Sequence, residues 1–195
     1  MKKNHGFTLV ELLATVSIMA ILLMIAIPSV LTIIEKNKNT TYINDAKKLV
    51  AMAKYKMKSD PSVINPSYAD YYTYGPVNRC VAFRFSTLIK ENEINEGPEG
   101  GNYNLDDSAS FNQGSFVIVK YDNTNKQNIY AVQLIEKYKI NDVDGYKGIP
   151  FIENVDNLAK KNASNKYISS KKESFVEPTD NNLQEKFNCN SITWY

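Results

Sequence analysis

The sequence predicts an α+β chain, with one long N-terminal helix followed by a small antiparallel sheet. Three observations carry this expectation. Phe7 to Ile34 is an apolar run of 28 residues, interrupted by a single charge. Beyond it, Ile43, Ala46, Val50, Ala53 and Met57 recur at three- and four-residue steps, the spacing of one helical face. Further on, SFVIVKY (115–121) and NIYAVQLIEKY (128–138) are rich in β-branched and aromatic residues and flank the polar turn DNTNKQ, the pattern of a hairpin. A chain of 195 residues has room for one moderate domain and an accessory segment.

The apolar run is the first element to justify. As a helix it would span about 42 Å at ~1.5 Å per residue, against roughly 30 Å of hydrocarbon. A secretory signal peptide has a shorter apolar core, about 7–15 residues, and an A-x-A-like exit, and neither is present. Lys2 and Lys3 precede the run while Lys36 and Lys38 follow it, so charge asymmetry barely orients it. Two residues within it break the pattern. Glu11 would cost about 2–3 kcal/mol as an ionised group in hydrocarbon. Pro28 removes a helical hydrogen bond and crowds the carbonyl of Met24, at about 3 kcal/mol. It is either a tolerated kink or a place where the helix can loosen.

Composition closes off most catalytic designs. The only histidine is His5, so no other residue can supply an imidazole base, a Ser-His or Cys-His pair, or a histidine zinc ligand. Basic and acidic residues number 23 and 21, and removing Lys2 and Lys3 with the first six residues would balance them. A balanced chain has no global attraction to nucleic acid or anionic lipid. Cys80 and Cys189 have neither CxxC nor metal-ligand spacing. Outside the cytoplasm they would pair, closing a loop worth roughly 4–5 kcal/mol on a chain-entropy estimate. Two unrelated buried thiols are the alternative.

The segment KKNHGFTLVELL resembles the class III signal of type IV pilins and pseudopilins. The elements are basic Lys2 and Lys3, Gly6, aromatic Phe7, Thr8, Leu9, Glu11 five residues past the glycine, and the apolar run to Ile34. The resemblance covers roughly the first 34 residues. It implies cleavage between Gly6 and Phe7 by prepilin peptidase, N-methylation of Phe7, and a cationic amine at the new terminus. Glu11 would then neutralise the Phe7 amine of an adjacent subunit and set the stacking register, since a buried charge is tolerated only when paired. The bland alternative is a lone acid at the membrane interface. Proline at the place of Pro28 is common in that family, where it could permit filament extension.

By the same resemblance the fold is pilin-like: a leader at 1–6, a transmembrane and assembly helix at 7–60, and a globular head at 61–195 whose sheet covers the outer half of the helix. The implied partners are other pilin subunits, prepilin peptidase and the pilus assembly platform in the membrane. The chain would be a single-pass membrane protein before assembly and part of a cell-surface filament after it, serving adhesion or motility. No catalysis and no cofactor are expected. A pseudopilin of a type II secretion or competence DNA-uptake apparatus shares the signal and is the alternative. A membrane-tethered enzyme lacks any recognisable carboxylate motif.

The remaining elements follow in order. Asp60-Pro61 should end the helix. Residues 61–79 read as a loop, with Tyr68, Tyr71, Tyr72 and Tyr74 packed on the helix or presented as a sticky face. Val77 to Phe85 alternates like a strand, and Ser86 could cap a short helix through Ile94. EGPEGGN (96–102) has no Lys-Ser/Thr end and reads as a turn, not a phosphate loop. NDVDGYKG (141–148) misplaces the ligands of a calcium loop and also reads as a turn. Lys160, Lys161, Lys166, Lys171 and Lys172 surround Tyr167. A solvated face explains them, and a track for nucleic acid is the sharper idea. Cys189 would fasten the C-terminal stretch to the region of Cys80.

Overall fold

The computed structural model describes residues 7–60, 62–63, 79–89, 96–103, 114–122, 124–159, 166–176 and 180–195. Helix α1 runs from Leu9 to Ser59. It stops where Asp60 turns its carboxylate onto the backbone N–H and hydroxyl of Ser62, at 3.0 and 2.6 Å. The chain then forms strand β1 (Arg79–Arg84), a four-residue helix α2 (Phe85–Leu88), and strands β2 (Phe116–Asp122), β3 (Gln127–Ile140) and β4 (Val143–Ile152). Two 3-10 turns, helix α3 (Asp180–Phe187) and strand β5 (Ser191–Trp194) complete it.

The chain divides into two compact units, Met1–Asn37 and Lys38–Tyr195. Tyr42, Ile43, Ala46, Leu49, Val50, Ala53 and Met57 on α1 are core residues, so this half of the helix packs within the second unit.

The sheet has strand order β4-β3-β2-β1-β5. Neighbours pair antiparallel except β5, which lies parallel to β1. Alternation along the strands sorts side chains onto two faces. Val81, Phe83, Val117, Val119, Val132 and Leu134 join the α1 stripe in one core. Cys80, Ala82, Phe116, Ile118 and Ala131 face the other way and join Val176, Leu183, Phe187 and Cys189. The head is thus a three-layer arrangement, with α1 on one side of the sheet and the C-terminal segment on the other. β4 carries a bulge opposite Gln133, between the Leu134↔Ile149 and Val132↔Ile152 pairs. Pro150 sits in that bulge, where a missing N–H costs no ladder bond.

Several expectations are corrected. α2 starts at Phe85 and ends at Leu88, with Arg84 rather than Ser86 at its N-cap position, because Phe85 turns inward into the core. NDVDGYKG is mostly strand. Only Asn141 and Asp142 turn, with φ of 49° and 63°, as a two-residue hairpin requires. β5 and the C-terminal layer were not anticipated, since four short residues and a polar helix carry little periodic signal. The tyrosines at 68–74, and Lys160 and Lys161, lie outside the described residues.

Candidate functional site

The N-terminal unit presents its apolar residues outward. Phe7 is 85% exposed, and the large hydrophobic side chains through Ile34 are likewise exposed. By length and composition α1 can cross a membrane. Three hydroxyls within the run are satisfied locally: Thr15 donates to Leu12 O, Ser17 to Leu13 O and Thr32 to Pro28 O, at 2.8–2.9 Å. Such back-bonding lets polar residues sit in hydrocarbon without an unpaired donor. Pro28 lies inside the helix, which continues through it. Gly6 and the rest of the leader lie outside the described residues.

Glu11 occupies a defined place in this unit. Its Oε2 accepts from both the backbone N–H and the hydroxyl of Thr8, each at 2.9 Å, while the Glu11 N–H donates to Thr8 Oγ1 at 3.3 Å. This is a capping box, which satisfies orphan donors at a helix start. The T-x-x-E spacing of Thr8 and Glu11 before an apolar run is the sequence signal of this box. Glu11 therefore has a partner within its own chain before any neighbour arrives.

A second polar centre lies within the head, and its buried carboxylate was not singled out from sequence. Glu136 on β3 is fully buried and points at α1. Its carboxylate accepts from the backbone N–H of Glu99 at 3.0 Å, that of Gly101 at 2.6 Å, and the hydroxyl of Tyr42. The glycine-rich turn 97–101 is the cradle. A Cβ on Gly97 would lie 2.1 Å from Glu136 Oε2, and one on Gly101 would lie 2.1 Å from the Lys137 carbonyl. So EGPEGGN is a turn, as expected, and its anion is the chain's own carboxylate.

Charges around the cradle extend the clasp to the helix. Glu99 bridges Lys38 of α1 and Lys147 of β4. Burial opposes ionisation of Glu99, but Lys147 and Lys38 outweigh it and hold its carboxyl below the usual range. Tyr103 donates to Asp45 of α1 at 2.8 Å. Burial pushes the Asp45 carboxyl up, against the Tyr103 hydroxyl and Lys48. Burial, then the neighbouring Glu136, pushes the Tyr42 phenol far above its ordinary value. These groups orient and lock; none is placed as a nucleophile with an adjacent base.

Cys80 and Cys189 are bonded to each other, with Cα atoms 5.8 Å apart. They join β1 to the segment between α3 and β5. Gln133, buried on the same face, donates to Gly114 O and Val176 O and accepts from Val176 N–H. Lys120 donates to Phe187 O at 2.7 Å. Of the lysine patch, Lys166 lies over the Tyr167 ring and Lys172 over the Tyr146 ring, so the two described stacks use different aromatics. Among the described residues, no group of three acidic, Cys or His side chains could hold a metal.

Residues 1–27 match the family model of the prokaryotic N-terminal methylation motif, the class III signal of type IV pilins. No curated protein and no solved structure matches the chain. The motif, the outward-facing apolar helix and the α+β head fit a pilin-like or pseudopilin prepilin. Processing by prepilin peptidase, assembly with other pilin subunits and a single-pass membrane stage before assembly are what the motif implies.

Proposed function

We propose that this chain is a structural subunit of a type IV pilus. Cleavage between Gly6 and Phe7 frees an amine on Phe7 that is then methylated. The helix stacks with those of other subunits, and the assembly platform extrudes them as a filament outside the cell. The observation that carries this reading is Glu11, a carboxylate inside the matched motif on an otherwise apolar, outward-facing helix. In a lipid or helix-packed environment its charge needs a counter-charge, and the Phe7 amine of a neighbour supplies one. The clasp of Glu136, Glu99, Tyr42 and Lys38 supports the same role, because a head fixed to its helix transmits filament load.

The test is the intact mass of the chain recovered from sheared surface fibres. A species beginning at Phe7 with one added methyl group is expected, and Gly6→Ala should abolish it. If the processed chain is found in membranes but never in fibres, the pseudopilin reading replaces this one.

A further inference from the structure

Among the described residues beyond the apolar run, the exposed large hydrophobic side chains are Tyr55, Ile140 and Val143. Ile140 and Val143 form the last rung of the β3–β4 hairpin and are 59% and 68% exposed. The turn itself, Asn141 and Asp142, is polar and needs no apolar neighbours to form. Two branched apolar side chains at a hairpin tip are therefore unexplained by folding.

The position of the tip explains them. The Glu136↔Lys147 rung is clasped to α1, through Tyr42 on one strand and through Glu99 and Lys38 on the other. Four more rungs carry the hairpin about 13 Å further at ~3.3 Å per residue. Lys54 lies over the Tyr130 ring while Tyr42 reaches Glu136, so β3 runs antiparallel to this half of α1. The tip thus projects toward the end of the head at which the chain enters, at Lys38. Ile34, the last residue of the apolar run, is four positions upstream.

The chemistry around the tip suits a bilayer surface. Lys137, Lys139 and Lys172 all act electrostatically on Asp144. With Asp142 counted, three lysines meet two aspartates, a net positive end that favours anionic headgroups. Tyr138 packs its ring against Gly145, and Tyr146 is half-buried nearby. Tyrosine is among the residues that form the amphipathic belt at membrane interfaces.

We propose that the Ile140–Val143 tip is a second membrane contact of the unassembled subunit, seated at the headgroup–acyl boundary of an anionic bilayer. This rests on the reading of Phe7–Ile34 as a membrane span. Two apolar side chains would bind lipid too weakly alone, but covalent tethering makes the contact intramolecular and raises its effective concentration. Leaving the membrane for a filament then requires the tip to let go.

The test uses the full chain in vesicles of phosphatidylcholine and phosphatidylglycerol. Because Cys80 and Cys189 are bonded, one added cysteine can be labelled selectively with an environment-sensitive fluorophore. The sites are Asn141→Cys in the turn at the tip, Thr124→Cys at the opposite hairpin, and Val16→Cys in the apolar run. Headgroup-depth nitroxide lipid should quench the label at 141 several times more than that at 124. Adding Ile140→Ser and Val143→Ser should cut this quenching about tenfold, while deep nitroxide still quenches the label at 16. Equal quenching at 141 and 124, with 16 quenched, would overturn the tip contact alone. An unquenched label at 16 would overturn the membrane span and the proposal with it. A signal at 141 that follows protein density and ignores nitroxide lipid would overturn the bilayer in favour of another subunit.

Discussion

Glu11 holds two possible partners in sequence, and the residue-scale question is which one function needs. Within the chain it completes a capping box with Thr8. Thr8→Ala removes the cap at about 1 kcal/mol but keeps the carboxylate. Glu11→Ala removes both. A register role predicts that Glu11→Ala is cleaved yet incorporates poorly, while Thr8→Ala incorporates nearly normally. Filament yield from the two variants checks this, and equal losses would reduce Glu11 to a cap. Glu136 is the corresponding residue of the head. Glu136→Gln replaces an anion with an amide that cannot satisfy all three donors, and the expected cost is about 2–4 kcal/mol. Gly101→Ala should cost about 1–3 kcal/mol, because its Cβ meets backbone that cannot swing away. Denaturant unfolding of a fragment beginning at Lys38 measures both.

At the scale of elements, α1 is one continuous helix serving two environments. Its first part is apolar on every side, as a membrane or bundle requires, and its second part carries a single stripe. The C-terminal layer is the opposite kind of element. α3 is short and polar, so with its flanking segments it holds to the sheet through Leu183 and Phe187, Gln133, Lys120 and the disulfide, whereas β5 is itself an edge strand of that sheet, paired with β1. Reducing the Cys80–Cys189 bond should therefore loosen this layer first. Cys80→Ser with Cys189→Ser is expected to cost about 2–5 kcal/mol in the fragment. The oxidised wild-type fragment should migrate faster than its reduced form on a denaturing gel, and no such shift should remain in the double variant.

For the head as a whole, two carboxyls on the helix–sheet junction give opposite pH dependences. Glu99 is held below its ordinary value, so its contribution is complete above that value and is lost as pH falls through the depressed one. Asp45 is held above its ordinary value, so the folded state takes up its proton first and gains stability as pH falls through the raised one. The expected profile rises slightly on mild acidification and then drops. Asp45→Asn should remove the rise, and Glu99→Gln should flatten the drop, as read from unfolding midpoints against pH.

Long-range and short-range information divide unevenly over this chain. The apolar run, the signal around Gly6 and Glu11, the α1 stripe and the β2–β3 hairpin were determined by the sequence itself. Each depends on residues within a few positions of one another, where spacing alone states the geometry. The capping box belongs with them, since T-x-x-E is local. Tertiary structure decided the rest. Glu136 looks like any strand glutamate until the 97–101 turn, Tyr42 and the sheet converge on it from 35 to 94 positions away. The parallel placement of β5, the C-terminal layer and the bond between cysteines 109 positions apart are likewise products of packing. Burying both faces of one sheet is a condition on the whole molecule, and no short window of sequence carries it.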